Sequence, residues 1–280
     1  MPGIYMEISR VLNNNAVMAQ DKGKTLLLMG LSIGYKKRAG DSIDRAQVEK
    51  IFVLTNPSSE NRLQEMISFI PDVYFKFAID AVSKIKADLQ KEYSDNLYIM
   101  LTDHIYSSVQ RYREGSVIEN ALLMETEKFY NQEYKVAKEI VKMANETFHV
   151  NMREDEVGFI TFHIINSQIG NTDSSVMQMT RLIKDILILV KERYHIQYKE
   201  ESLAYSRFIT HLKYFSRRVF TKTAESSYDN DLLEMMKTRY PKEYEGAIAI
   251  LKWIEEKYKY HGTDMDALYL TIHIARIIKE

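Results

Sequence analysis

The sequence predicts a multidomain α and β protein: a small antiparallel β-sheet domain followed by two homologous all-α helical-bundle domains. Three features of its 280 residues lead there. Five of the ten glycines fall within the first forty residues, between short apolar runs. A helical period of apolar residues begins beyond a polar stretch near residue 57 and persists to the end of the chain. The helical part then repeats itself at a spacing of about 110 residues. The expected organisation is a β domain over 1–56, a linker over 57–62, a first helical domain over 63–169, a linker over 170–176 and a second helical domain over 177–280.

In the first domain, Ile8 to Leu12, Ala16 to Ala19, Leu26 to Met29 and Val48 to Leu54 read as strands. Asn13-Asn14-Asn15 and Asp21-Lys22-Gly23 separate the first three. Asn and Gly adopt positive φ at low cost, so both breaks read as tight hairpin turns. Apolar and polar residues alternate imperfectly here, so the strand reading rests on turn spacing and segment length. A sheet this small buries little alone and is expected to pair with a second copy. After the polar stretch Thr55 to Glu60, Leu63, Met66, Ile67 and Ile70 follow the i, i+3, i+4, i+7 rule, and Pro71 closes that helix. Val73, Phe77, Ala81, Ile85 and Leu89 continue at four-residue spacing. Helical segments run to about Gln168, Gly170 to Ser175 form a polar break, and the pattern resumes from Met177.

The two helical blocks superpose in sequence. Tyr130, Glu133, Tyr134, Ala137, Ile140, Lys142 and Glu146 fall on Tyr240, Glu243, Tyr244, Ala247, Ile250, Lys252 and Glu256 at one constant shift, and Thr161, His163 and Ile164 fall on Thr271, His273 and Ile274. A shift three residues smaller places Tyr98, His104 and Arg111 on Tyr205, His211 and Arg218. Four of the seven histidines thus form matched pairs, His104 with His211 and His163 with His273, each on the apolar stripe of its helix. Duplicated structural histidines would also be copied with their domain, so the repeat alone weighs structural and functional roles equally. His149, His195 and His261 lack the repeated register and are expected to be surface or packing residues. Trp253 stands where the first copy has Met143.

Composition and motifs narrow the chemistry. There is no cysteine, which excludes disulfides, thiol nucleophiles and cysteine-ligated metals and fits a reducing, cytoplasmic setting. No apolar run approaches the length of a membrane span, and the N-terminus does not read as a signal peptide. No His-x-x-x-His or His-Glu-x-x-His spacing occurs, and Asp103 beside His104 points elsewhere on a helix. Neither a G-x-S-x-G elbow nor a phosphate-binding G-x-x-x-x-G-K-[ST] is present, so a histidine-dependent hydrolase is disfavoured and no metal or cofactor is expected. The remaining chemistry for such histidines is reversible phosphorylation, where a dianion on an apolar face resets packing.

Arg10-Val11-Leu12-Asn13-Asn14-Asn15-Ala16-Val17, Leu28-Met29-Gly30, Gly34 to Asp41 and Val48 to Phe52 resemble the RNA-binding domain of BglG/LicT-type transcription antiterminators. Leu101-Thr102-Asp103-His104, Asp155 to His163, Glu200-Glu201-Ser202-Leu203 with Thr210 to Lys213, and Leu270 to Ile274 resemble that family's two phosphotransferase-system (PTS) regulation domains. The resemblance runs from about Met6 to Ile278; Met1 to Tyr5 precede the usual start and are expected to be an extension. It implies a cytoplasmic regulator, not an enzyme, that binds as a homodimer an RNA hairpin (a ribonucleic antiterminator) in a sugar-operon leader and blocks an overlapping terminator. It also implies no cofactor and no membrane insertion. By resemblance, the first-domain histidines His104 and His163, chiefly His104, are targets of inhibitory phosphorylation by a sugar-specific Enzyme II. His211 and His273 are targets of activating phosphorylation by HPr.

The RNA contacts carried over by position are Arg10, Asn13, Asn15, Gly30 and Tyr35, with Lys36 and Lys37 beside the tyrosine for phosphate. Asn13 to Asn15 would also make a good turn, and Tyr35 could simply pack. One departure is Gly30-Leu31-Ser32 where the family commonly has Gly-Arg-Gly, which removes a bidentate donor. It keeps open an alternative, a PTS-phosphorylated regulator with a degenerate RNA face that acts through protein partners. Charge favours the first reading. Residues 1–54 hold eight basic and five acidic residues, net +3, whereas the rest hold 30 and 34, net −4, and the overall −1 averages the two.

Overall fold

The structure, a computed structural model, describes residues 5–21, 24–30, 32–54, 66, 69–168, 176–223 and 230–279. Five strands form one antiparallel sheet: β1 (Tyr5–Asn13), β2 (Ala16–Asp21), β3 (Lys24–Met29), β4 (Ser42–Asp44) and β5 (Lys50–Leu54), in the order β4-β1-β2-β3-β5. The four expected strands are present. Val48 lies outside β5, just beyond a 3-10 turn over Arg45–Gln47. The strand that sequence reading missed is β4, whose three residues are too short to show a period. β1 is shared between two partners: Tyr5 to Glu7 pair with β4, and Ile8 to Asn13 pair with β2 through register shifts on either side of Arg10 and Val11. Asn14 and Asn15 make the first hairpin turn. β2 and β3 pair as far as Asp21 and Lys24, while the expected turn residues Lys22 and Gly23 lie outside the described residues.

The imperfect alternation has a physical cause, because both faces of the sheet are buried. One face gathers Met6, Ile8, Val17, Ala19, Leu26, Leu28, Ile33, Ile43 and Val48 into a core. Met18, Leu27, Met29 and Phe52 are buried too and take the opposite positions along the strands. Phe52 meets Tyr98 edge to face, with ring centroids 5.5 Å apart. A strand covered on both sides reads as a continuous apolar run.

Among the described residues ten α-helices follow: α1 (Asp72–Leu89), α2 (Asn96–Arg113), α3 (Leu123–Phe129), α4 (Asn131–Phe148), α5 (Glu154–Asn166), α6 (Val176–Tyr194), α7 (Leu203–Thr221), α8 (Asn230–Arg239), α9 (Pro241–Tyr258) and α10 (Asp264–Ile277). Ile70 donates to the Met66 carbonyl at 2.8 Å, a helical turn that ends at Pro71. Leu63 and Ile67, along with both expected linkers up to Ser175, lie outside the described residues. Of the α1 stripe, Phe77, Ala81 and Ile85 are buried and Val73 is exposed. Capping differs between the helices that bear the matched histidines. Ser202 caps α7 by accepting from the Tyr205 amide, and Thr263 forms a reciprocal capping box with Asp266 on α10. Arg153, at the corresponding position before α5, makes no side-chain cap.

The chain divides into two compact units, Met1–Glu119 with Val136–Ile169, and Asn120–Lys135 with Gly170–Glu280. The second has a core built on Leu182, Ile183, Ile186, Phe208, Leu212 and Ile274, to which Phe129 of α3 contributes. None of the described helices is long and apolar enough to cross a membrane.

Gly34 is packed so closely that a Cβ there would lie 2.2 Å from the Asn13 carbonyl oxygen. Gly34→Ala is expected to destabilise the sheet by about 1–3 kcal/mol through overpacking. Urea unfolding followed by circular dichroism checks this, and an unchanged midpoint would show that the backbone yields there.

Candidate functional site: a nucleic-acid edge and paired histidines

At the β1–β2 turn the asparagine side chains organise the neighbouring loop. Asn13 Oδ1 accepts the Asn15 amide at 2.8 Å, and Asn15 Oδ1 accepts the Ser32 amide at 2.6 Å. The Gly34 amide donates to the Asn14 carbonyl at 2.9 Å and the Gly30 amide to the Asn15 carbonyl at 3.1 Å, which seats Gly30 and the 32–37 loop against the turn. Gly30 is buried, and a Cβ would lie 2.1 Å from the Gln47 carbonyl oxygen. Packing alone therefore demands glycine there, and it can offer a ligand only its backbone. Tyr35 stands 55% exposed, with Lys36 Nζ 5.3 Å from its ring centre. Arg10 is exposed on β1. Lys37 is turned back, donating to the Ser42 carbonyl at 3.0 Å. Asn13, Asn15, Gly30, Tyr35 and Lys36 are thus assembled by the turn and the loop, whereas the Lys37 ammonium is engaged. Leu31 lies outside the described residues.

What the two amide groups face is not legible from the residues around them. Asn13 Nδ2 donates to Asp72 Oδ1 at 2.8 Å, and Asn15 Nδ2 donates to Asp72 Oδ2. Asp72 is the first residue of α1, where the helix dipole favours an anion. One carboxylate therefore holds both amides by which this turn could read a nucleotide.

In the first helical domain α2 and α5 bring His104 and His163 together, with ring centroids 4.8 Å apart. Asp103 is not the partner of His104. That role falls to Glu156 of α5, whose Oε2 lies 2.8 Å from His104 Nε2. The Glu156 side chain has no exposure. Ser108 donates to its Oε2 at 2.9 Å and Arg111 to its Oε1 at 3.2 Å. Burial opposes ionisation of Glu156, but the hydrogen bonds from His104 and Ser108 and the His104 and Arg111 charges outweigh it, leaving the carboxyl below the usual carboxylate range. Burial, then the His104 charge, pushes His163 down to about 3, and its buried Nδ1 has no partner among the described residues.

In the second helical domain α7 and α10 set His211 and His273 closer, with ring centroids 4.1 Å apart. His211 is exposed, whereas His273 is buried and stacks on Phe208. They line a cavity of about 240 Å³ with Phe208, Tyr214, Arg218 and Asp266. Burial, then the charges of Arg218 and Arg276, lowers His211. Burial, then His211, Arg276 and Arg207, brings His273 down to about 4. No described carboxylate holds His211. Asp266, the counterpart of Glu156, accepts instead from Arg218 at 2.7 Å, Tyr260 at 3.0 Å and Thr263.

Glu156, Arg111, Asp266 and Arg218 were missed as site residues. The signal was available: the shift that matches His163 to His273 matches Glu156 to Asp266, and the one that matches His104 to His211 matches Arg111 to Arg218. His149 and His195 are exposed and left-handed just beyond α4 and α6, and exposed His261 pairs with Glu255 at 2.9 Å. Among the described residues no group of three or more His, Asp or Glu side chains is placed to hold a metal ion.

A β1–β2 turn and neighbouring loop that present amides, an aromatic ring and a cation, followed by duplicated helical domains with paired histidines, suit an RNA-binding regulator. Residues 6–61 match the CAT RNA binding domain, and residues 80–167 and 184–277 match the PRD domain. The chain belongs to the family of transcription antiterminators that join these domains. It is 37% identical over 276 residues to Transcription antiterminator LicT of Bacillus subtilis (strain 168), covering 98% of this chain and 100% of that protein. It is 34% identical to a Beta-glucoside operon antiterminator of Dickeya chrysanthemi, covering 98% of each. It is 30% identical to Protein GlcT of Staphylococcus aureus (strain bovine RF122 / ET3-1), covering 95% of each. The crystal structure of GlcT CAT-PRDI is similar with a TM-score of 0.53 and 29% identity, covering 59% of this chain and 99% of that one.

The buried histidines make acid stability a test of these environments. The unfolded chain takes up protons near pH 6.5, but folded His273 resists until about pH 4. Stability is therefore complete above pH 6.5 and declines as pH falls toward 4. His273→Gln removes this titration, so the loss of thermal stability between pH 7 and pH 5 should be smaller than in wild type. Equal slopes would mean that His273 is not desolvated.

Proposed function

We propose that the chain binds, as a homodimer, an RNA hairpin in a nascent sugar-operon leader and prevents a terminator from forming, under control of PTS-dependent histidine phosphorylation. The observation that carries this reading is the surface made by the Asn13–Asn15 turn and the 32–37 loop. It puts two amides, an exposed tyrosine and a lysine on the domain that matches an RNA-binding family. Amides suit base edges, an open aromatic ring suits an unpaired base, and the net +3 of residues 1–54 suits phosphate.

The charge settings of the histidines support opposite signs of control. Phosphorylation adds a near-dianion. In the second domain it would meet Arg218 and Arg276, in keeping with activation through His211 and His273 by HPr. In the first it would meet the Glu156 carboxylate, in keeping with inhibition through His104 and His163 by a sugar-specific Enzyme II. The reading places the protein in the cytoplasm, where such transcripts and phosphoryl donors occur.

Titration with a leader RNA hairpin at two salt concentrations tests the RNA reading. Tyr35→Ala should weaken binding by about 1–3 kcal/mol if a base stacks on the ring. Asp72→Ala should strengthen it several-fold, since bound RNA must take the amides that Asp72 holds. Affinity no greater than for an unrelated hairpin would refute the reading. The switch is tested separately. His211→Asp with His273→Asp should raise antitermination in a reporter and tighten dimers in sedimentation, and His104→Asp should lower antitermination. The reverse signs would mean the domain roles are exchanged.

A further inference from the structure

Glu156 and Asp266 occupy equivalent positions one methylene apart, yet they do different work. Asp266 is absorbed by its own helix start: Thr263 donates to it through both its amide, at 3.0 Å, and its hydroxyl, at 2.9 Å, and Tyr260 and Arg218 complete its shell. The first domain has Val150 and Arg153 at the positions of Tyr260 and Thr263, so neither side chain can donate in the same way. The longer Glu156 is free to cross to α2, where Ser108 steadies it. The second domain has Phe215 at the position of Ser108, which can give no such bond. The carboxylate of the first domain therefore ends on the histidine, and that of the second does not.

Resting on the phospho-acceptor reading of His104, we propose that Glu156 is a positioning residue that selects Nδ1 of His104 as the nitrogen to be phosphorylated. Glu156 is held in its acceptor-only form, so the 2.8 Å contact requires His104 to donate Nε2–H. In neutral His104, the form that can act as a nucleophile, the lone pair is then confined to Nδ1. That atom has no hydrogen-bond partner among the described residues and is not one of the buried, unpartnered ones, unlike Nδ1 of His163. In the transfer, the Nδ1 lone pair attacks the phosphorus of a phosphoryl group carried on a donor histidine or cysteine. The N–P bond forms as the donor's P–N or P–S bond breaks, and its electron pair stays on the donor atom. The ring keeps its Nε2 proton, and the positive charge it gains is balanced by Glu156. Among the described residues no such carboxylate holds His211 or reserves its Nε2.

The test is to phosphorylate the full chain with potassium phosphoramidate and digest it with trypsin at alkaline pH. Cleavage at Lys91 and Arg111 leaves His104 as the sole histidine of residues 92–111. The Nδ1 and Nε2 isomers on that peptide are then read with isomer-specific antibodies and NMR. Wild type should show the Nδ1 isomer in roughly tenfold excess, the preference expected from about 1.4 kcal/mol. Glu156→Asp retains the charge for Arg111 but withdraws the carboxylate by about 1.5 Å, one carbon–carbon bond. It should move the product toward Nε2 without altering the isomer on the peptide that carries His211. A predominantly Nε2 product in wild type, or the same isomer ratio in Glu156→Asp, would overturn the proposal. Absence of phosphate from the 92–111 peptide, with label elsewhere, would instead remove His104 as an acceptor and the proposal with it.

Discussion

Glu156 and Asp266 are carboxylates whose side chains have no exposure, and each is matched by an arginine from the neighbouring helix, Arg111 at 3.2 Å and Arg218 at 2.7 Å. A buried carboxylate without such partners carries a desolvation penalty of several kcal/mol, so the pairs constrain how the helices cross. The arginine and carboxylate come from the same two helices that bear the histidines, α2 with α5 and α7 with α10. Fixing one crossing therefore fixes both the ion pair and the histidine pair. The ring separations of 4.8 and 4.1 Å follow from this constraint together with the packing of Phe208 and its neighbours.

The same economy links the sheet to the first helical domain. Both faces of β2 and β3 are buried, and Phe52 meets Tyr98 of α2. Lys50 pairs with Asp95 at 2.8 Å just before α2 and lies 4.2 Å from the Tyr98 ring centre. Asp72 then joins the start of α1 to the two asparagines of the first hairpin. Compact unit 1 is for this reason larger than a sheet domain alone, and the amides of the first hairpin turn are tied to the first residue of α1.

Much of this architecture is legible in the sequence. Turn chemistry at Asn13 to Asn15 and helical periodicity after residue 70 placed most elements, because local backbone preference and one-sided burial write themselves into spacing. The repeat located all four histidines of the two pairs, since a duplicated core must preserve its register. Legibility failed where the determinant was a contact distant in sequence. β4 has three residues and no period, and its place depends on Tyr5 to Glu7. Asp72 is 59 residues from Asn13, and nothing in its neighbourhood announces that pairing. The partner of His104 stays hidden for a related reason. Adjacent Asp103 points elsewhere on its helix, and the carboxylate that matters arrives from α5, where Asp155-Glu156 reads as an ordinary acidic first turn.

Duplicated domains with the same histidines can respond in opposite senses only if something other than the histidines differs. What differs is the charge that a new phosphoryl group would find. At an effective dielectric near 20, two unit charges about 4 Å apart interact by about 4 kcal/mol, enough to decide the sign of a response in a marginally stable interface. In the second domain burial is the main reason His211 and His273 resist protonation, and the charges of Arg218 and Arg276 at His211 and of Arg276 and Arg207 at His273 add a cationic field in which a dianion gains. In the first, Glu156 is stabilised by donors and would lose by the arrival of a second anion. A single methylene, together with Thr263 and Tyr260 in place of Arg153 and Val150, is what diverts the carboxylate from one histidine and leaves it on the other. On the proposed reading, the sign of regulation is set by residues that are not themselves modified.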